Sequence, residues 1–115
     1  MSITLYGIKN CDAVKKARDW LAQHNIDYKF HDFRVDGLDK TQVKNWIEHI
    51  GLDSLVNKRS TTWKELDTHI KEHFNEQNAI DVILQNPTLI KRPLLDIGTA
   101  QYVGFKESEY TTFFN

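Results

Sequence analysis

Apolar residues recur along this chain at two spacings, and the changes of spacing mark its elements. The run Ile3-Thr4-Leu5-Tyr6-Gly7-Ile8 is nearly continuous in apolar character, which predicts a buried, central first strand. From Asp12 the pattern becomes helical: Val14, Ala17 and Leu21 fall on one face, while Lys15, Lys16, Arg18 and Asp19 fall elsewhere. Asn25 is placed to end this helix in the left-handed conformation. Tyr28 to Phe33 then alternates ring and polar side chains, as a half-exposed second strand would. A strand–helix–strand opening calls for a right-handed crossover and a parallel pair.

Past the polar turn Val35-Asp36-Gly37 come three helical patterns. Asp39 with Gln42 resembles a capping box ahead of the stripe Val43, Trp46, Ile47 and Ile50, and Gly51 supplies a stop. Leu55 to Ser60 reads as a polar, basic loop. Thr62 with Glu65 repeats the capping signature and leads into Leu66, Ile70 and Phe74 at helical spacing. Ile80, Ile83 and Leu84 make a third stripe that ends before Pro87. Leu89-Ile90 and Leu94 to Ile97 are then short and strand-like, Gly98-Thr99 is a turn, and Gln101 to Val103 returns as a hairpin partner. Tyr110, Phe113 and Phe114 ride on a last helix. The order predicts an α/β chain with a thioredoxin-like, mixed four-stranded sheet flanked by helices. Its core would cover about residues 1–34 and 88–115, with a helical insertion at about 35–87, all within a single domain spanning 1–115.

Composition narrows the function classes. At 115 residues the chain has room for one real core and little more. It is 40% hydrophobic, 11% aromatic and 27% charged, ordinary for a globular protein, and its net charge of -1 gives no overall drive toward nucleic acid or an anionic membrane. No apolar stretch is long enough to cross a bilayer and no signal sequence follows Met1. One cysteine builds no internal disulfide, so a reducing cytoplasm is the expected location. The five histidines match no zinc-ligand spacing; His69 and His73, four apart on a predicted helix, amount to half a metal site and read as a solvated face. No metal and no bound cofactor are expected.

Candidate chemistry starts at Cys11, the only cysteine, between the first strand and the first helix. The first N–H groups of a helix have no intrahelical partners, and with the helix dipole they favour an anion, here the reactive thiolate. Lys9 and Asn10 before it and Lys15 and Lys16 after it do not suit a dry core; Asp12 beside it is opposed in charge to a thiolate but suits the helix dipole. Arg92-Pro93 is the second signal. Proline is excluded from sheet interiors, so Pro93 belongs at a strand start or edge. Arg92 offers a planar, permanently charged fork for an oxyanion or carboxylate.

The segments Tyr6-Gly7-Ile8-Lys9-Asn10-Cys11-Asp12, Leu55-Val56-Asn57-Lys58-Arg59 and Leu89-Ile90-Lys91-Arg92-Pro93 resemble the arsenate reductase (ArsC)/Spx superfamily. The nearest resemblance is to its YffB-like branch of glutathione-dependent thiol reductases. That resemblance implies a thioredoxin-like fold, Cys11 as nucleophile, a cis peptide bond at Pro93 and Arg92 as the oxyanion- or substrate-holding residue. It also marks departures. Glutaredoxin-linked arsenate reductases carry an arginine in the middle loop where this chain has Asn57, with Lys58 and Arg59 just beyond. Their third arginine would fall near Gly104-Phe105, where this chain has none. Spx regulators carry a Cys-x-x-Cys switch, and the second position here is Val14.

The expectation is therefore a thiol-disulfide oxidoreductase with one nucleophile, Cys11, resolved by an external thiol. Glutathione is the expected co-substrate, with glutaredoxin as a candidate partner. Lys9, Asn10, Arg59, Arg92 and Pro93 are the expected substrate-binding residues. The alternatives are a glutaredoxin-linked arsenate reductase, and an Spx-like, RNA-polymerase-binding regulator without a redox switch.

Overall fold

A computed structural model describes residues 2–114. Met1 and Asn115, the ends of the expected domain, lie outside the described residues. The chain divides into two compact units. One comprises the residues up to Asp32 and those from Arg92 onward, and the other is Phe33–Lys91.

The first unit holds a four-stranded sheet of β1 (Thr4–Gly7), β2 (Lys29–Asp32), β3 (Leu94–Asp96) and β4 (Gln101–Val103), in the order β2-β1-β3-β4. β1 runs parallel to β2 and antiparallel to β3, and β3 runs antiparallel to β4. The helix α1 (Asp12–Gln23) provides the β1–β2 crossover. This is the mixed, thioredoxin-like α/β arrangement, with β1 and β3 as its two inner strands. α1 buries Val14, Ala17, Trp20 and Leu21, the helical stripe of the sequence with Trp20 added. It ends in a Schellman motif: Asn25 takes φ 55° and donates to the Ala22 carbonyl at 3.1 Å, and Ile26 donates to the Leu21 carbonyl at 3.0 Å. Leu5, Ala17, Trp20, Leu21, Leu95, Ile97 and Tyr110 close the core, Tyr110 coming from the C-terminal helix Glu107–Phe113. The Tyr110 ring meets Trp20 and Phe105 edge-on at centroid distances of 5.5 and 4.7 Å. Burial, aided by the neighbouring Glu109 charge, pushes its phenol well above the ordinary tyrosine range.

The second unit is helical. It runs through α2 (Phe33–Asp36), α3 (Lys40–Ile50), α4 (Leu52–Leu55), α5 (Thr61–Glu65), α6 (Thr68–Glu72) and α7 (Glu76–Gln85) to a 3-10 turn, Pro87–Leu89; the C-terminal helix is thus α8. α3 carries the expected capping box, with the Gln42 N–H donating to Asp39 Oδ1 at 2.8 Å and the Asp39 N–H donating back to Gln42 Oε1 at 3.0 Å. It buries Val43, Trp46 and Ile47 and stops at Gly51, φ 92°.

Three expectations need correcting here. The cap of α5 is Ser60 rather than Thr62, its hydroxyl accepting the Trp63 N–H at 3.1 Å. The Leu66–Ile70–Phe74 stripe is not one helix: Leu66 is extended at ψ 148°, and Asp67 recaps the chain by accepting the His69 N–H at 2.8 Å. A carboxylate that competes for backbone N–H groups breaks a helix which periodicity alone would continue. Leu55 to Ser60 is not a simple polar loop, because Leu55 ends α4 and Leu55 and Val56 are buried. Val56 forms a bridge with Ile90, and the Lys91 N–H donates to the Leu55 carbonyl at 2.7 Å.

Candidate active site

Cys11 stands where the chain turns from β1 into α1. After Gly7 the buried Ile8 and the exposed Lys9 and Asn10 lead to Cys11, which is half-buried. Cys11 is the N-cap residue of α1, with extended backbone (φ −132°, ψ 123°), and its carbonyl accepts the Lys15 N–H at 3.0 Å as the first helical bond. No side chain caps this end of the helix. The donors of its first turn therefore remain available for negative charge next to Cys11. Asp12 is the acidic residue of that first turn, where the dipole also favours it.

Glycine at position 7 makes this junction tight. A Cβ at Gly7 would lie 2.7 Å from Val14 Cγ2, nearer than side chains pack. The fully buried Val14, at the place of the second cysteine of a Cys-x-x-Cys pair, is instead the residue that seats α1 on β1.

Sheet register carries the second signal to the same end of the sheet. β1 and β3 pair as Thr4 with Asp96, Leu5 with Leu95 and Tyr6 with Leu94. β3 begins at Leu94, so Arg92 and Pro93 lead into it at the end of the sheet where β1 runs out toward Cys11. The Arg92–Pro93 peptide bond is cis, the single such bond among the described residues. Pro93 is buried, Arg92 is half-buried, and the Gly104 N–H donates to the Pro93 carbonyl at 2.9 Å. Across the parallel pair, Tyr6 is in register with His31, their ring centroids 4.8 Å apart.

Of the expected site residues, Lys9, Asn10, Cys11, Arg92 and Pro93 thus share one unit and one end of its sheet. Arg59 belongs to the other unit, where it is exposed on a turn organised by Asn57. Asn57 Oδ1 accepts the Arg59 N–H at 3.0 Å, its carbonyl accepts the Ser60 N–H at 3.1 Å and hydroxyl at 2.7 Å, and its own N–H donates to the Leu89 carbonyl at 2.8 Å. Within the same unit the Lys58 ammonium lies 5.3 Å from the Trp63 ring centroid. Sequence reasoning passed over Asn57 as a missing arginine; the signal for its turn-forming role was the Asn-x-x-Ser spacing.

Among the described residues no group of three or more His, Cys, Asp or Glu is assembled for a metal, and no helix is long and apolar enough to cross a membrane. Chemically, the arrangement offers one thiol at a helix N-cap, a flanking arginine and a buried proline start to β3.

Comparison with known proteins agrees with this layout. The ArsC family pattern matches residues 6–113. A Haemophilus influenzae protein designated only as uncharacterized is 52% identical over 112 residues, covering 97% of this chain and 98% of its own length. The global transcriptional regulator Spx of Streptococcus pyogenes is 27% identical over 113 residues, 96% of this chain and 84% of the regulator. The solved structure of a YFFB protein superposes with a TM-score of 0.93 at 40% identity, covering 96% of this chain and 97% of the other. From β1 through the cis proline to α8, this chain belongs to the ArsC family, within the ArsC/Spx superfamily and on its YffB-like branch.

Proposed function

We propose that this chain is a thiol-disulfide reductase in which Cys11 is the only nucleophile and glutathione the resolving thiol. The observation that carries the reading is the position of Cys11: an N-cap thiol with no side chain capping the helix, at the sheet end where Arg92 and Pro93 enter β3. In the first step the Cys11 thiolate attacks a sulfur of a disulfide substrate. A new S–S bond forms to Cys11, the substrate S–S bond breaks, and the other sulfur departs as a thiolate. The chain has no second cysteine to displace it. A glutathione thiolate therefore attacks the substrate sulfur of the mixed disulfide and Cys11 leaves as thiolate. A second glutathione thiolate attacks the glutathione sulfur of the resulting glutathione–substrate disulfide and displaces the substrate sulfur as thiolate, so that two glutathiones become glutathione disulfide and the substrate has gained two electrons. Arg92, with Lys9 and Asn10, would hold the carboxylates of the tripeptide. No metal or bound cofactor enters this scheme, and a reducing compartment supplies the thiol.

Intact mass spectrometry after exposure to glutathione disulfide tests it. One glutathionyl adduct is expected on the wild type and none on Cys11→Ala, and reduced glutathione should remove the adduct. A wild-type protein that takes up no adduct would overturn the reading.

Similarity to Spx over 96% of the chain favours a second reading, a transcriptional regulator that binds a protein partner such as RNA polymerase. With Val14 in place of a second cysteine it would lack an intramolecular switch. Retention of RNA polymerase on the immobilised protein, undiminished in Cys11→Ala, would support that reading. Arsenate reduction is a less favoured variant of the first reading, because Asn57 and Gly104 stand near the positions where the glutaredoxin-linked enzymes place arginines.

A further inference from the structure

His69 and His73 carry an inference independent of Cys11. Four residues apart, they lie one helical turn above each other; both are exposed, with ring centroids 4.3 Å apart and planes inclined by 37°. The His73 ring is held by a 2.9 Å hydrogen bond between its Nδ1 and the His69 carbonyl. A carbonyl can only accept, so Nδ1 carries the proton and the lone pair of the neutral ring lies on Nε2. Metal-binding histidines are arranged this way, one ring nitrogen donating to a carbonyl while the other ligates. The backbone beneath is also fixed: the His69 N–H donates to Asp67 Oδ1 at 2.8 Å, and the His73 carbonyl accepts from Asn78 Nδ2 at 2.7 Å. Lys71, the cation within α6, projects from the opposite side of the helix and donates its ammonium to the Lys64 carbonyl at 3.3 Å.

We propose that His69 and His73 form a two-imidazole chelate for a divalent first-row cation of tetragonal preference, Cu²⁺ ahead of Ni²⁺ and Zn²⁺. With metal–nitrogen bonds of about 2.0–2.1 Å, imidazoles on adjacent corners of a square have centroids roughly 4.5 Å apart, and a tetrahedral angle spreads them beyond roughly 5 Å. The observed 4.3 Å matches the square arrangement. Among the described residues no third His, Cys, Asp or Glu joins the pair, so solvent completes the coordination and the site is open and exchangeable.

The test is a titration of the full-length chain with Cu²⁺ alone, followed by calorimetry and electron paramagnetic resonance. A Cys11→Ser background prevents the thiol from ligating or reducing the metal. One equivalent should bind with a tetragonal spectrum showing imidazole nitrogen couplings. His69→Gln and His73→Gln should each weaken binding at least tenfold, and His49→Gln should leave it unchanged. Circular dichroism confirms that the exposed substitutions leave the fold intact. Affinity undiminished in both variants, or Zn²⁺ bound more tightly than Cu²⁺, would overturn the assignment.

Discussion

Gly7→Ala places a methyl group at the tightest contact between β1 and α1. Its Cβ would stand 2.7 Å from Val14 Cγ2, about 0.7 Å short of the 3.4 Å at which ordinary contact begins. Val14 is fully buried and β-branched, so its χ1 is confined to essentially one rotamer in a helix and cannot swing away cheaply. The strain must pass into α1 itself. Overpacking of this kind costs about 1–3 kcal/mol, which chemical denaturation reads as a lower midpoint at unchanged slope. The functional consequence should be disproportionate, since Val14 lies within the first turn after Cys11. Misplacing a reacting group by about 1 Å can cost on the order of 100-fold in rate. The reaction of Cys11 with glutathione disulfide should therefore slow by about tenfold or more in the folded variant. Gly7→Ala combined with Val14→Ala removes the γ-methyl group that clashes and should recover much of the rate, although the cavity it leaves carries its own stability cost. A Gly7→Ala protein with wild-type midpoint and wild-type reactivity would refute the idea that this contact seats the thiol.

Other substitutions test separate parts of the account. Tyr110 is 1% exposed and its hydroxyl has no hydrogen-bond partner among the described residues, so Tyr110→Phe should stabilise the fold by about 1–2 kcal/mol in a thermal or denaturant melt. Because folding raises the phenol pKa above its ordinary 10.0, wild-type stability is intact below that pH. It should fall by up to about 1.4 kcal/mol per pH unit above it, and Tyr110→Phe should lose this contribution to the slope. Asn75→Ala removes the cap that accepts the Gln77 and Asn78 N–H groups at 2.9 and 3.1 Å, and should cost about 0.5–2 kcal/mol in the same melts. Arg92→Ala should slow reaction with anionic disulfides by about tenfold or more while shifting stability little, with a smaller effect on a neutral disulfide; equal rates on both substrates would remove Arg92 from the site.

The first unit was legible because its residues obey local rules that tertiary packing did not overrule. The apolar run at Ile3–Ile8 holds one of the two inner strands, the stripe at Val14, Ala17 and Leu21 became the buried face of α1, and Asn25 took the left-handed conformation. Cys11 and Pro93 were readable as single residues. That they lie close together was expected only from the family resemblance, because it depends on the β1–β3 register between segments almost ninety residues apart. The second unit was harder. Its helices α4, α5 and α6 are of four to five residues, shorter than any periodicity can define, and α5 and α6 are set by Ser60 and Asp67 competing for backbone N–H groups. The tight contact at Gly7 was likewise invisible, since a glycine in an apolar run does not announce which side chain it admits.

The central claim is that Cys11 alone performs the covalent step and an external small thiol completes it. Multiple-turnover reduction of a peptide–glutathione mixed disulfide measures this directly, with glutathione as reductant in one series and thioredoxin with its reductase in another. The account predicts turnover that rises with glutathione, stops in its absence even when thioredoxin is supplied, and vanishes in Cys11→Ser. Sustained turnover by Cys11→Ser, or a wild-type rate indifferent to glutathione, would contradict it.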